Sequence, residues 1–337
     1  MKTTEQGWQM TAIACDAKLL QETMASPSSS VVIDSPVASA SCLVNGQVPS
    51  CSQPLRLQAC LDDFRREAQW RTCDTGRYQC DYVSWGEGPA LLFIPGLCDD
   101  PWTFILPMAR LREHFRCIAY CMPIGNGDGS RLGRYCHEHL VDDLFAVLDD
   151  AGIGAAVPLG ISFGSTVALA GLHAQPDRFP RAILQGGFAR RPLAWAEVML
   201  AAWARWWPGN LDHLPLRRQL FRAARQPSFD RREPEVWQYY LEHDGRQPIA
   251  AVAHRARLLH EVDLRPLLPA IRQPVLLICG DRDPLVGQAC ADELQRGLPN
   301  VARAEIEKCG HLPHFTHPEV LSEVVRRFAL PGESGRR

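Results

Sequence analysis

The strongest constraint on the fold is a series of short, unbroken apolar runs, each closing on glycine, proline or aspartate. Ala90 to Ile94 ends at Pro95-Gly96, and Arg116 to Met122 runs into Pro123 and the turn 124–130. Val157 to Ile161, Ala182 to Leu184 and Val275 to Cys279 follow the same form. Runs of this length with no polar alternation suit parallel strands buried on both faces. Stretches of helical spacing separate most of them, including Leu140 to Leu148 and Ser165 to Ala174. Alternating strand and helix predicts an α/β chain with a doubly wound, mostly parallel sheet. Tyr78 to Trp85, closed by the turn Gly86-Glu-Gly-Pro89, predicts a further strand ahead of the series.

Two intervals break the alternation. Residues 25–55 are rich in Ser, Pro, Ala and Val without helical period, and residues 9–24 hold apolar positions only at loosely helical spacing. Together with the i, i+4, i+7 set Leu57, Leu61 and Phe64, they predict a partly flexible N-terminal extension over residues 1–65 that ends in an amphipathic helix. Residues 189–263 show no strand pattern but several helical ones. They carry five of the nine tryptophans and many arginines. A helical insertion between two strands is predicted there, dividing a core of residues 66–188 and 264–332. Its aromatic stripes would pack on the core or line an apolar acyl pocket, with an arginine available to a substrate carboxylate.

Composition narrows the function classes. A formal net charge of −2 gives no basic field for nucleic acid. No segment approaches the roughly 18 consecutive apolar residues of a membrane span, and Glu5, Asp16 and Glu22 interrupt the N-terminus where a secretory leader needs an apolar stretch. A cytoplasmic protein is the expectation. The thirteen cysteines are odd in number and irregular in spacing. Several sit inside apolar runs, so reduced packing thiols are expected rather than a disulfide or metal framework. His137 and His139 lack further ligands at metal spacing, and no metal or organic cofactor is expected.

The chemical signal is Gly160-Ile161-Ser162-Phe163-Gly164. It closes one apolar run and opens an alanine-rich helical stretch, the strand–turn–helix setting of a nucleophile elbow. A serine hydroxyl needs a base, and the base needs an orienting group. Downstream, Gly280-Asp281-Arg282-Asp283 follows one strand, and Cys309-Gly310-His311-Leu312-Pro313 follows the segment Ala304 to Lys308. Both lie past strand ends, where open α/β sheets place their sites. His314 and His317 are nearby alternatives to His311, and Asp281 to Asp283.

Taken together these motifs resemble the α/β-hydrolase superfamily over about residues 75–330. The likeness is to the capped group of esterases, lipases and C–C hydrolases. Besides the serine motif it rests on Phe-Ile-Pro-Gly at 93, Asp-Leu-Arg-Pro-Leu-Leu-Pro-Ala-Ile at 263, Cys-Gly-Asp-Arg-Asp-Pro-Leu-Val at 279 and Gly-His-Leu-Pro at 310. The resemblance implies a helical cap at 189–263 and a triad of Ser162 as nucleophile, His311 as base and Asp283 as acid. It also implies an oxyanion hole from the backbone N–H groups of Leu97 and Phe163. Pro95 stands where the family commonly has His, and Cys121 and its neighbours occupy a segment that often carries Asp. Cys98 and Trp102 become candidate pocket residues, with Asp99 and Asp100 beside them. The implied substrate is a small to medium acyl compound, foremost a carboxylic ester. Thioester hydrolysis, acyl transfer and C–C cleavage share the same triad, and a non-catalytic ligand- or partner-binding protein of this fold is the alternative of another class.

Overall fold

The computed structural model describes residues 55–125, 127–214, 219, 229 and 234–330. The N-terminal segments at 9–24 and 25–54, and the insertion arginines Arg217, Arg218, Arg222, Arg231 and Arg232, lie outside the described residues.

One eight-stranded sheet organises the rest. Its strands are β1 (Gln69–Asp74), β2 (Gln79–Trp85), β3 (Ala90–Ile94), β4 (Arg116–Tyr120), β5 (Val157–Ile161), β6 (Ala182–Gln185), β7 (Val275–Gly280) and β8 (Val301–Ile306). The spatial order is β1-β2-β4-β3-β5-β6-β7-β8. β1 and β2 run antiparallel, as do β2 and β4; every later pairing is parallel.

The unbroken apolar runs exist because both faces of the sheet are covered. On β3, Leu92 and Ile94 join one core while Leu91 and Phe93 join the other. On β7, Val275 and Leu277 face the first core and Leu276 and Ile278 the second. Successive side chains point to opposite faces, so each run must be apolar throughout. The first core is closed by α3 (His137–Asp150), α4 (Phe163–Ala174) and α8 (Gln288–Gly297). The second is closed by α1 (Leu57–Glu67), α2 (Ile105–Leu111) and α10 (Pro318–Ala329). α1, the helix expected at the end of the N-terminal extension, buries Leu57, Cys60, Leu61 and Phe64 and packs on α2.

Three local differences from the sequence reading have physical causes. β1 has only Cys73 buried among its six residues, so it lacks the apolar pattern that marks a strand and exists by pairing with β2. β8 spans Val301–Ile306, earlier than the segment 304–308. As an edge strand it carries Arg303 and Glu305, and charge on an edge opposes association with another chain. α4 starts at Phe163 directly after the serine, two residues before the expected helix.

Between β6 and β7 the described residues form three main helices and no strand: α5 (Trp195–Ala204), α6 (Pro234–Gly245) and α7 (Ile249–Glu261). A short helix, α9 (Pro313–Thr316), follows the loop that bears His311. Every described cysteine is a free thiol, and no described helix is long and apolar enough to cross a membrane.

Candidate active site

β5 ends in a backbone that few residues adopt. Ser162 has φ +50° and ψ −116°, a left-handed conformation unfavourable for a residue with a β-carbon. It is held there from three sides. Its N–H donates to the carbonyl of Gln185 at the end of β6 (2.9 Å), and its own carbonyl accepts from Ser165 in α4 (2.9 Å). Gly164 lets α4 lie against the end of β3: a β-carbon there would stand 2.6 Å from the Pro95 carbonyl oxygen. The turn therefore needs glycine for close approach, which is what the motif supplies.

The histidine loop is tied to the same place. Gln185, fully buried, donates from Nε2 to the His311 carbonyl (3.5 Å) and to His314 Nδ1 (3.2 Å). His311 Nδ1 pairs with Asp283 Oδ2 at 2.7 Å. The other Asp283 oxygen accepts from the N–H groups of Leu285 (2.8 Å) and Val286 (3.0 Å). Burial alone would push the Asp283 carboxyl up. The hydrogen bond and charge of His311, with the two N–H groups, outweigh it and hold Asp283 below the usual carboxylate value. With the carboxylate ionised, Nδ1 carries the proton and Nε2 is left to accept one.

The alternatives have other uses. Asp281 accepts from the Cys309 N–H (2.9 Å) and so ties the histidine loop to the end of β7. His314 is fully buried, and burial pushes its imidazole down to about 3. His137 bonds Thr166 (2.8 Å) and is pushed to about 4 by burial. Among the described residues no group of His, Cys, Asp or Glu is arranged to hold a metal ion.

Ser162 and His311 both abut residues 185–186. A β-carbon on Gly186 would lie 2.9 Å from His311 Cε1. Among the described residues the Ser162 hydroxyl makes no hydrogen bond to His311; such bonds are often long without substrate and tighten around it. The N–H of Phe163 opens α4, and neither it nor the N–H of Leu97 has an acceptor among the described residues. A donor without an acceptor at a helix N-terminus, as at Phe163, suits a developing negative charge.

The loop after β3 is held by residues the motifs did not reveal. Asp99 Oδ2 accepts from the Gly96 N–H (2.9 Å). Arg255, on α7 and fully buried, donates to the Leu97 carbonyl (2.6 Å), to Gln247 Oε1 (3.2 Å) and to the Pro123 carbonyl (3.3 Å). Among the described residues it has no carboxylate partner, and burial lowers its guanidinium. Asp99 and Asp100 are not solvated turn carboxylates: both are half-buried, and burial pushes each up to about 6. The charges of Asp244 and Asp100 add to this at Asp99. Trp102 packs in an aromatic cluster with Phe64, Trp70 and His243, and its carbonyl accepts from the Tyr239 hydroxyl (3.0 Å). Cys98 is half-buried in the same loop.

A cavity of about 420 Å³ adjoins this loop, lined in part by Asp99, Asp100, Met122, Arg246 and Arg255. Neither Cys98 nor Trp102 lines it. A larger hollow of about 710 Å³, lined by Trp85, Glu87, Arg112 and Arg116, lies at the opposite end of the parallel strands and touches none of these residues.

The family model described as the alpha/beta hydrolase fold matches residues 89–318. The chain belongs to the α/β-hydrolase fold family. Residues 69–330 of this α/β-hydrolase hold the whole sheet and the site. The chain is similar to a pimeloyl-[acyl-carrier protein] methyl ester esterase of Aromatoleum aromaticum, 31% identical over 51% of this chain and 74% of that protein. It is also similar to 3-oxoadipate enol-lactonase 2 of Acinetobacter baylyi, at 26% identity over 73% and 91%. The enol-lactonase structure from Burkholderia xenovorans superposes with TM-score 0.67 at 23% identity, covering 77% of this chain and 99% of that one. Among its relatives are proteins named as esterases, lactonases and hydrolases, and this chain is a hydrolase enzyme.

Proposed function

We propose that the enzyme hydrolyses a small to medium carboxylic ester through Ser162, His311 and Asp283. The observation that carries this reading is the strained Ser162 elbow, bonded to Gln185, beside the Gly186 against which lies an imidazole already paired to a carboxylate held below its usual value. His311 Nε2 takes the Ser162 proton as Oγ attacks the acyl carbon, and Asp283 stabilises the imidazolium. The carbonyl oxygen becomes an oxyanion in front of the Leu97 and Phe163 N–H groups, each such donor being worth about 3–4 kcal/mol. His311 then protonates the leaving alcohol, and water, deprotonated by the same imidazole, releases the acid and restores Ser162. Residues 66–188 and 264–332 act as the core and 189–263 as the cap, with α7 reaching the oxyanion loop through Arg255. No metal or organic cofactor has a part in this scheme.

The test is turnover of p-nitrophenyl esters of increasing acyl length by the wild type and Ser162→Ala. The expected loss in kcat is about a millionfold, the scale found when a triad nucleophile is removed. Equal rates in the two proteins would overturn the assignment of Ser162.

A further inference from the structure

Helix α5 is built the wrong way round for a helix of a water-soluble protein. Trp195, Met199 and Trp203 recur at i, i+4 and i+8, which places them along one stripe. That stripe faces outward: Trp195 is 81% and Trp203 57% exposed, and Met199 is exposed as well. The half-buried positions of α5 are Glu197, Val198, Ala201 and Ala204, α5 packs against α7, and its largest apolar side chains are exposed. None of its residues is buried. The stripe continues past the helix, where Trp206 is 77% exposed and Trp207 packs on Trp203 with ring centres 4.5 Å apart. A helix that is apolar all round is normally covered, and a contiguous exposed apolar patch marks an interaction surface.

Charge says what kind of surface it fits. The chain as a whole is nearly neutral, at −2, yet residues 190–232 hold nine arginines against three acidic residues. Of the arginines that flank α5, Arg190 pairs with Asp263 (3.6 Å) and Arg191 donates to the Leu285 carbonyl (3.0 Å), while Arg205 is exposed, with its guanidinium 4.8 Å from the Trp206 ring centre. Tryptophan is the residue most at home at the boundary between lipid headgroups and acyl chains. Arginine beside an exposed aromatic stripe is the pattern of a segment lying on an anionic bilayer.

We propose that α5 is a docking element that seats the hydrolase on an anionic lipid surface, with Trp195, Met199, Trp203 and Trp206 entering the headgroup region and Arg205 meeting lipid phosphates. The docking does not depend on the ester reading of the active site, and its test reads partition rather than turnover.

The full chain is sedimented with vesicles of equal parts phosphatidylcholine and phosphatidylglycerol, and with pure phosphatidylcholine. Wild-type protein should pellet with the mixed vesicles, shift its tryptophan emission to the blue and be released by added salt. The triple variant Trp195→Ser/Trp203→Ser/Trp206→Ser should lose partition by about tenfold or more. Met199→Glu, which adds a charge at an exposed position, should weaken it in the same direction; circular dichroism checks that both variants fold. Failure of the wild type to pellet with the mixed vesicles overturns the proposal, as does unchanged partition of the triple variant. Equal partition onto pure phosphatidylcholine overturns the anionic assignment. A wild-type dimer that the triple variant dissolves, without vesicle binding, assigns the stripe to a second copy of the chain.

Discussion

Gly186 offers a sharp test of the triad geometry. It follows β6 at φ +54°, and a β-carbon built on it stands 2.9 Å from His311 Cε1, 3.1 Å from His311 Nδ1 and 3.5 Å from Asp283 Oδ2. Carbon–carbon contacts are comfortable at about 3.5–4.0 Å, so in Gly186→Ala the imidazole has to retreat by about 0.5–1 Å. A misplacement of that order lowers catalysis by about a hundredfold. The left-handed backbone adds a separate effect of about 1–2 kcal/mol on stability. Gly152 isolates that second effect: its φ is +69°, and a β-carbon there meets nothing within 4 Å. Gly152→Ala should therefore lose similar stability with kcat unchanged. Gly186→Ala should lose stability and, in addition, about tenfold to hundredfold in kcat on a p-nitrophenyl ester. Thermal unfolding reads the first quantity, at about 2–4 °C per kcal/mol for a domain of this class, and steady-state kinetics reads the second. Full kcat in Gly186→Ala, with the expected loss of stability, would refute the placement of His311 as the base.

Two further outcomes follow from the loop after β3. Burial raises Asp99 to about 6 in the folded chain, above its unfolded value. Between about pH 4 and 6 the folded state therefore holds more protons than the unfolded one, and stability falls as pH rises through that window. Asp99→Asn keeps an oxygen to accept from Gly96 and removes the titration. Its melting temperature should exceed wild type at pH 7 and match it near pH 4, and a lower value at pH 7 would show that the carboxylate's hydrogen bond to Gly96 outweighs its burial. Arg255→Lys exchanges a planar fork for a point charge that cannot serve the Leu97 and Pro123 carbonyls together. Initial-rate kinetics should show kcat down by about tenfold or more with KM little changed, since in the proposed mechanism the loop's donor acts in the transition state; a change in KM alone would assign Arg255 to substrate binding.

The sheet was legible because its physics leaves a mark on every strand residue. β3, β5, β6 and β7 are covered on both faces, so their apolar runs are continuous and their ends are sharp. β1 left no such mark, since one buried cysteine among six residues is not a pattern. In the site, Ser162, Asp283 and His311 stand within short motifs whose small and acidic residues are needed by the local turns, so the residues nominated the serine and the two loops, and the family resemblance chose Asp283 over Asp281 and His311 over its neighbours. Gln185 could not be found this way. It ends an apolar run as an ordinary polar residue, and its three contacts reach the serine turn and the histidine loop only after β5 and β6 have paired.

Arg255 shows why the remaining part of the site was hidden, and what the insertion does. The Leu97 N–H belongs to the peptide linking residues 96 and 97, whose plane is set by the peptides on either side. The preceding one is fixed through the Gly96 N–H on Asp99, and the following one through the Leu97 carbonyl on Arg255. The first contact spans three residues and the second 158. No local pattern could join Arg255 to a glycine turn that far upstream, and within α7 it reads as one more helical arginine. A guanidinium buried without a carboxylate partner is unfavourable in isolation. Its retention in a core position makes sense when several carbonyls share its donors and one of them orients an N–H at the proposed oxyanion site. By this geometry the insertion helices are part of the site's framework: a change that shifts α7 alters the direction of the Leu97 donor even though no residue of α7 need touch the reacting bond.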